Sequence, residues 1–524
     1  GQADKTTYHL DMKKTLESTP NLTILQAEVA QLLSENGKIV GVKTAIGQTF
    51  FCNGVVIASG VYLNSSIIIG DFRQNIGPNN FARATSLTQS LVDLGVPMRR
   101  FKTGTPARVD KNSINFDAME IQNGDENIYP FSFMTDGYIN NTTPCYLTYT
   151  TQRTKDIIMA NISRSPLYNG SIKSIGPRYC PSIEDKIMRF ADKERHQIFI
   201  EPESAFTNEV YVQGMSSSMP FDVQLAMYHT VLGLENARIM RFAYAIEYDC
   251  IDSICLDNSL KFKGIDGLYM AGQLNGSSGY EEAAAQGLIA GINLARYIDS
   301  KPPVILSRES SYIGVLIDDL VTKGTNEPYR MMTARAENRL NLRQENADER
   351  LTPLGREIGL VSDERYSRFC AKQSAMQQLR ALLTKSVPPK DYTAYFEKIG
   401  EKTPNNGLTY HDMLKRANVL PAAMSETFED LRSVNIRIFE ELATQIKYEG
   451  YLAKQKDIND ETAKLDSKLL PANLDYSQIS GLRIEARQKL NKIQPTNVGQ
   501  ASRISGVSPA DITVLLVWLK KAKL

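Results

Sequence analysis

Gly267-Leu-Tyr-Met-Ala-Gly-Gln-Leu-Asn-Gly-Ser-Ser-Gly-Tyr-Glu-Glu-Ala-Ala-Ala-Gln-Gly287 is the stretch on which the fold turns. A short apolar strand ends at Ala271. Gly272, Gly276 and Gly279 then allow the backbone to approach a ligand closely. A helix is expected to begin near Gly279 and run to about Tyr297. Glu281 and Glu282 fall in its first turn, where the helix dipole favours acids. Ala283, Ala284, Ala285 and Gly287 are small enough for tight packing against a sheet or a cofactor. Free amides at a helix start suit a phosphate or a flavin carbonyl. The same pattern also fits a tight strand-to-helix turn without a ligand.

Upstream, Gly54-Val-Val-Ile-Ala-Ser-Gly60 is a continuous apolar run, as expected of a strand buried on both faces. Thr23-Ile-Leu-Gln, Ile39-Val-Gly-Val-Lys and Thr49-Phe-Phe-Cys read as short strands, with Glu35-Asn-Gly-Lys as a turn. The opening, Gly1 to Leu16, reads as a helix with no Met start and no cap, as though the chain began inside a fold. From about Phe72 to Asp249 the pattern is mixed and loop-rich. Beyond Arg308 the helical period dominates, broken at Pro388-Pro389, at Pro404-Asn-Asn-Gly and at Pro471. The expected organisation is an α/β part interrupted by a long insertion, then an all-helical part.

The 524 residues suggest roughly three domains. Hydrophobic residues at 42% and charged residues at 23% suit a soluble globular protein. At a net charge of +1, any polyanion site must be a local patch. Six cysteines without a CxxC pair suggest a reducing, cytoplasmic setting. The four scattered histidines have no zinc-type spacing. No apolar run reaches the roughly 20 residues needed to span a bilayer. Neither GxGxxG nor GxxxxGK[ST] occurs.

Three further segments stand out. In Gly176-Pro-Arg-Tyr-Cys-Pro-Ser-Ile-Glu-Asp-Lys-Ile-Met-Arg-Phe190, Cys180 follows Arg178 and precedes Lys186 and Arg189. Such cations lower a thiol pKa and favour a reactive thiolate. A buried structural cysteine is the alternative. Ser182 is a candidate helix cap, with Glu184 and Asp185 in the first turn. Arg330, Arg335, Arg339 and Arg343 form a second group. The last three, spaced i, i+4, i+8, would share one helix face, with Arg350 nearby. That face is either a phosphate-tracking stripe or a solvated surface laced with Glu337 and Glu345. In the tail, Gly506 ends one helix, Ser508 caps the next and Pro509 opens it. Ile512, Leu515, Leu516 and Leu519 form its apolar stripe near Trp518, as a bundle core or a partner-binding helix pair.

Together these segments resemble the MnmG (GidA) family, also called glucose-inhibited division protein A. The shared signatures include Lys102-Thr-Gly-Thr-Pro-Ala-Arg, Thr143-Pro-Cys-Tyr-Leu-Thr-Tyr-Thr, Gly176 to Phe190, His196-Gln-Ile-Phe-Ile-Glu-Pro-Glu, Tyr244-Ala-Ile-Glu-Tyr-Asp and Ala271 to Gly287. Glu327-Pro-Tyr-Arg, Asn346-Ala-Asp-Glu-Arg-Leu-Thr, Lys447-Tyr-Glu-Gly-Tyr and Gly499 to Lys521 follow in order. Ala334, Asn338 and Phe242 depart from the usual Ser, Tyr and Pro.

The resemblance implies a doubly wound FAD-binding domain of the glutathione-reductase type, with an inserted α/β domain and an all-helical C-terminal domain. Its expected parts are 1–71 and 250–307 (FAD domain), 72–249 (insertion for NAD and substrate) and 308–524 (helices for tRNA and partner binding). It implies FAD contacts at Gly272, Gln273, Gly276 and Gly279, and Val29 against the adenine. Gly176, Pro177, Arg178, Tyr179, Cys180, Pro181, Ser182, Ile183, Glu184, Asp185, Lys186, Ile187, Met188, Arg189 and Phe190 match the family's nicotinamide-dinucleotide region. Cys180 matches a cysteine implicated in catalysis, and Arg335, Arg339 and Arg343 are the tRNA-binding candidates. The implied activity installs a carboxymethylaminomethyl or aminomethyl group at C5 of the wobble uridine of tRNA. It uses FAD, NADH, methylenetetrahydrofolate and glycine or ammonium. The implied assembly is a homodimer with the GTPase MnmE, two plus two, away from membranes. Roughly the first hundred family residues, with the glycine-rich FAD fingerprint, have no counterpart here. This polypeptide alone is therefore expected to hold FAD weakly or not at all. Two other readings are a folate- and FAD-dependent tRNA methyltransferase and a non-catalytic tRNA- or GTPase-binding paralogue without flavin.

Overall fold

The structure, a computed structural model, describes residues 2–178 and 181–522. It divides into two compact units. The first comprises Gly1–Ile128, Tyr138–Ile305 and Leu316–Met331, and the second Tyr129–Gly137, Leu306–Val315 and Met332–Leu524.

In the first unit the chain runs α1 (Lys5–Glu17), β1 (Val29–Glu35), β2 (Lys38–Thr44), β3 (Thr49–Phe51), β4 (Val55–Ile57), β5 (Ser66–Ile69) and β6 (Phe72–Gln74). It continues with α2 (Ser86–Asp93), β7 (Met98–Thr105), β8 (Arg108–Asp110), β9 (Glu120–Gln122), β10 (Cys145–Tyr149), α3 (Gln152–Ala160) and α4 (Ile183–Arg189). Then come β11 (Gln197–Pro202), β12 (Glu209–Gln213), α5 (Phe221–Tyr228), β13 (Ile239–Arg241), β14 (Tyr244–Ile251), β15 (Leu268–Met270) and α6 (Tyr280–Ile298). A short helix, α7 (Tyr312–Asp318), follows; its residues up to Val315 are counted with the second unit and those from Leu316 with the first.

The strands β4 and β15 form a parallel pair, with Leu268 opposite Val55 and Met270 opposite Ile57. The strands β1, β2 and β3 make an antiparallel meander, turned between β1 and β2 by Asn36 and Gly37 at positive φ. A four-stranded sheet, β6-β5-β14-β7, centres on β14, which is buried from Ala245 to Ile251. Between β7 and β14 the chain builds a six-stranded antiparallel sheet, β13-β8-β12-β11-β10-β9. Val109, Ile198, Ile200, Val210 and Val212 from its strands pack with Ile158, Ile183, Ile187, Val223 and Met227 from three helices. Each fully buried aliphatic side chain contributes about 1.5–3 kcal/mol. Ile183 and Ile187 therefore anchor α4 firmly to this core.

Three local expectations change. Thr23-Ile-Leu-Gln is exposed coil, not a strand. No described strand pairs with it, and an isolated extended segment has no ladder to hold it. The first helix does have a cap: the Asp4 carboxylate accepts from Thr7 N at 2.8 Å. In β4 only Ile57 is buried, while Val55 and Val56 are half-buried, because β4 pairs with β15 in a sheet of two strands.

The second unit holds α8 (Ala347–Glu357), α9 (Asp363–Leu383), β16 (Ser386–Val387), α10 (Pro389–Lys398), β17 (Leu408–Thr409), α11 (Tyr410–Leu414), α12 (Pro421–Thr427) and α13 (Ile436–Asp466). It ends with α14 (Ile484–Ile493), α15 (Val498–Arg503) and α16 (Pro509–Ala522). Pro389 opens α10, as its fixed φ permits at a first helical position. Asn435 caps the long α13, accepting from the amides of Arg437 and Ile438. One apolar core gathers α9 to α13 and another gathers the tail helices. Ile512, Leu515 and Leu519 are buried in the latter, with Leu516 and Trp518 packed against it, so the tail stripe is a bundle core. Among the described residues no helix is long and apolar enough to cross a membrane.

The arginine segment is not a helix. Residues 333–335 form one 3-10 turn, and irregular turns continue until α8 begins at Ala347. Asparagine and arginine side chains capture the backbone atoms a helix would need. Asn346 accepts from Arg343 N and donates to Asn341 O, while Arg308 donates to Arg335 O. Such side-chain bonds compete with helix formation.

Candidate cofactor and substrate site

The loop after β15 is held by its own polar side chains. Asn275 Nδ2 donates to Met270 O at 2.8 Å and to Gln286 Oε1 at 2.9 Å. Gln286 Nε2 donates to Ser277 Oγ at 2.8 Å, and Ser277 Oγ donates to Gly272 O at 2.8 Å. Asn275, Ser277 and Gln286 are completely buried, and Asn275 Oδ1 remains without a partner. A buried hydrogen-bond network of this kind fixes one loop conformation. Its sequence signal is polar Asn275, Ser277 and Gln286 set among small residues, which glycine spacing alone does not reveal.

Gly272 and Gly276 sit at φ 75° and 77°. Gly279 sits at φ 138°, and a Cβ there would collide with Glu282 Oε2 and Arg330 Nη1. Only glycine fits both the dihedral and the space. Gly279 precedes α6 without a side-chain cap, leaving first-turn amides for another acceptor. The first turn carries Glu281 and Glu282 as expected.

Glu282 is buried. Its Oε1 accepts from Met331 N at 2.8 Å and lies 3.7 Å from Arg330 Nε, while its Oε2 is buried without a hydrogen-bond partner. Tyr329 N donates to Gly276 O at 2.8 Å, and Ser278 N donates to Tyr329 O at 2.7 Å. The Glu327-Pro-Tyr-Arg signature is thus stitched onto the glycine loop. Arg330 belongs here with Glu282, separated from Arg335, Arg339 and Arg343, which belong to the other unit. No spacing rule in the sequence joins residues this far apart.

Beside the loop, Gly60 stands at φ 57° with open space around it. A Cβ there would meet nothing closer than Gln273 Oε1 at 3.9 Å. The Ser59 hydroxyl next to it is buried without a partner. Open space at Gly60, a half-buried Gln273 and uncapped α6 amides fit the flat, polar-edged group that the resemblance implies. Val29 is half-buried at the start of β1, opposite Thr44.

The Gly176–Phe190 segment lies in the same unit. Lys102 N donates to Ile175 O, and the Lys102 side chain crosses Gly176, where a Cβ would be 2.5 Å from Lys102 Cε. Arg178 lies 3.9 Å from Glu327. Ser182 caps α4 by accepting from Asp185 N. Glu184 is fully buried, and burial pushes its carboxyl upward. Its Oε1 accepts from Ser218 N at 3.2 Å. Lys186 Nζ donates to Gly214 O, and Arg189 pairs with Asp185 at 3.3 Å. Tyr179 and Cys180 lie outside the described residues. Burial pushes the Cys250 and Cys255 thiols up to about 12, which removes both as nucleophiles near neutral pH.

In the same unit β14 carries Glu247 and Asp249. Arg73 donates to Glu247 and Arg100 to Asp249, each at 2.6 Å. Burial alone would raise the Glu247 carboxyl, but the Ser174 hydrogen bond and the Arg73 guanidinium outweigh it and hold it below the usual range. These acids are structural anchors of the sheet.

A parallel strand pair feeding a glycine loop and a long helix, with an inserted antiparallel sheet and a separate helical unit, defines a mixed α/β protein with a helical C-terminal part. The family model for glucose inhibited division protein A matches residues 1–302. Models for the C-terminal helical domain and helical bundle of the tRNA modifying enzyme MnmG/GidA match residues 363–456 and 459–524. The tRNA uridine 5-carboxymethylaminomethyl modification enzyme MnmG of Lachnoclostridium phytofermentans is 51% identical, covering 100% of this chain and 84% of the relative. Its counterpart in Caldicellulosiruptor saccharolyticus is 53% identical with the same coverage. The solved structure of Aquifex aeolicus GidA in its form II crystal superposes with a TM-score of 0.89 at 41% identity, covering 99% of this chain and 83% of that one. The chain belongs to the MnmG/GidA family of tRNA-modifying enzymes.

Proposed function

We propose that this protein installs a carboxymethylaminomethyl or aminomethyl group at C5 of the wobble uridine of tRNA, using methylenetetrahydrofolate, glycine or ammonium, and NADH, together with the GTPase MnmE. The observation that carries this reading is identity of 51–53% along the whole chain to enzymes named for uridine modification. FAD, when bound, supplies the redox chemistry. Gly60, Gly272, Gln273, Gly276 and Gly279 would hold it, and the uncapped amides of α6 would face its electron-rich edge. Gly176–Phe190 would receive the nicotinamide dinucleotide. Cys180 would assist at the pyrimidine ring as nucleophile or as acid and base. Arg335, Arg339 and Arg343 would contact tRNA phosphates; Arg339 is exposed and Arg335 and Arg343 are half-buried. The domain assignments 1–71 with 250–307, 72–249 and 308–524 belong to this proposal.

The test is complementation. Expressed from its own gene in cells lacking the modification, the protein should restore a C5-substituted wobble uridine in nucleoside analysis. Absence of that nucleoside, with tRNA still bound by the purified protein, would leave a non-catalytic binder. Cys180→Ser should abolish the product, and full product from that variant would remove the proposed role of Cys180.

A further inference from the structure

The glycine loop after β15 is clasped by a residue far from it in sequence. Tyr329 N donates to Gly276 O at 2.8 Å, Ser278 N donates to Tyr329 O at 2.7 Å, and Ser277 and Tyr329 form a parallel bridge. Two residues on, Met331 N donates to Glu282 Oε1, so the same segment also grips the first turn of α6. The loop has glycines at positive φ at 272, 276 and 279, and glycine backbone resists displacement only weakly. The clasp therefore limits how far Gly272 and Gln273 can move.

The phenol of Tyr329 fixes the clasp in turn. Tyr329 is 3% exposed, and its hydroxyl donates to Asp319 Oδ2 at 2.8 Å. Met331 Sδ lies farther away, at 3.6 Å, and a thioether is the weaker acceptor. Asp319 is 2% exposed, and its Oδ1 accepts from Lys323 Nζ at 2.7 Å. With a hydrogen bond on each oxygen, the buried carboxylate is satisfied. Asp319 opens a single π-turn, Asp319–Lys323, directly after α7. Such turns are rare and concentrate at functional sites. Ser253 Oγ donates to Leu320 O within the turn at 2.7 Å, and Gly324 leaves it at φ 64°. Leu316, Leu320 and Tyr329 are buried together, with Ala285 of α6 and Met331 packed against them. All these residues from Leu316 to Met331 lie in the first unit with the loop.

We propose that Asp319 and Tyr329 are positioning residues for the flavin loop. The π-turn presents the Asp319 carboxylate, the carboxylate holds the Tyr329 phenol, and the Tyr329 backbone holds Gly276 to Ser278 in the conformation that receives the cofactor. The proposal rests on the flavin reading above and deepens it. A binding loop works only while its supporting groups are themselves locked, and here the lock is one hydroxyl on one carboxylate.

The experiment uses the full chain and two measurements: hydrogen exchange of the 272–279 peptide by mass spectrometry, and the effect on that exchange of FAD in large excess. Tyr329→Phe removes the hydroxyl and keeps the ring. It should speed loop exchange about tenfold, as loss of a hydrogen bond to a charged group does, while exchange in α13 stays unchanged. FAD should slow loop exchange in the wild-type chain and do so less in Tyr329→Phe. Asp319→Asn should keep the loop slow, because the carboxamide oxygen still accepts from the phenol, whereas Asp319→Leu should not. Unchanged loop exchange in Tyr329→Phe would overturn the proposal. So would equal exchange in the Asn and Leu variants, since the link would then not run through an acceptor at residue 319. Faster exchange spread over the whole first unit, with a shifted unfolding curve, would reduce Tyr329 to general packing and defeat the proposal as well. A wild-type loop that FAD leaves untouched, while Tyr329→Phe still speeds it, would count against the flavin reading and leave the clasp standing.

Discussion

Gly267 to Gly287 and Arg330 to Arg343 are both regular in sequence, one through its glycines and the other through its arginines. The first forms the expected strand, loop and helix. The second forms irregular turns, and its four arginines divide between two units. Glycine at positive φ expresses a steric requirement local to the backbone, so its pattern carries structure directly. Arginines at helical spacing express only a possible face. Polar groups elsewhere in the unit, such as Asn346 and Arg308, decide whether the helix forms.

The largest expected effect breaks the ordered member of this pair. Gly279→Ala forces φ 138° on a residue with a side chain and drives a Cβ into Glu282. A loss of about 3–5 kcal/mol in denaturant unfolding is expected, from backbone strain together with a displaced buried carboxylate. Asn346→Ala attacks the irregular member. It removes the acceptor for Arg343 N and Arg350 Nε and the donor to Asn341 O. The expected loss is about 1–2 kcal/mol. A gain in helix content by circular dichroism would show that Asn346 holds the segment out of a helix.

Asp348 on α8 and Glu441 on α13 share one lysine, Lys372, at 2.8 Å and 2.7 Å. Burial pushes the Glu441 carboxyl up to about 7, despite Lys372. An unfolded Glu titrates near about 4.3, so the folded state holds the extra proton between these values. Stability from this group is therefore present at acid pH and declines as pH rises toward about 7. Glu441→Gln should flatten that decline in unfolding curves taken from about pH 5 to about pH 7.5. A slope that the variant leaves unchanged would mean another group titrates. Glu247 in the first unit has the opposite sign: its carboxyl is depressed, so its contribution is lost as pH falls.

The smallest effect is the control for the glycine loop. Gly287 lies within α6 with nothing inside 4 Å of a new Cβ. Gly287→Ala should stabilise by about 0.4–1 kcal/mol. A large loss there would mean that α6 is packed more tightly than the described residues account for.

Several features are legible in the sequence because they are local. The Asn36-Gly37 turn, the Ser182 cap, the acidic start of α6 and the apolar stripe of the tail each follow from a few neighbouring residues. The family, too, is legible from ordered signatures. Other features require the fold. Tyr329 on the Gly276 carbonyl, Met331 on Glu282, Lys102 across Gly176 and the lysine shared by Asp348 and Glu441 all join residues far apart in the chain. Hydrogen bonds and ion pairs between distant residues leave no periodic trace. The Asn36-Gly37 turn and the start of α6 can be read from neighbouring residues, because φ and the charge of a first helical turn are properties of short segments. Which arginine meets the glycine loop and which border a cleft follows from long-range packing, because the spacing of charges along a chain does not say what they will touch.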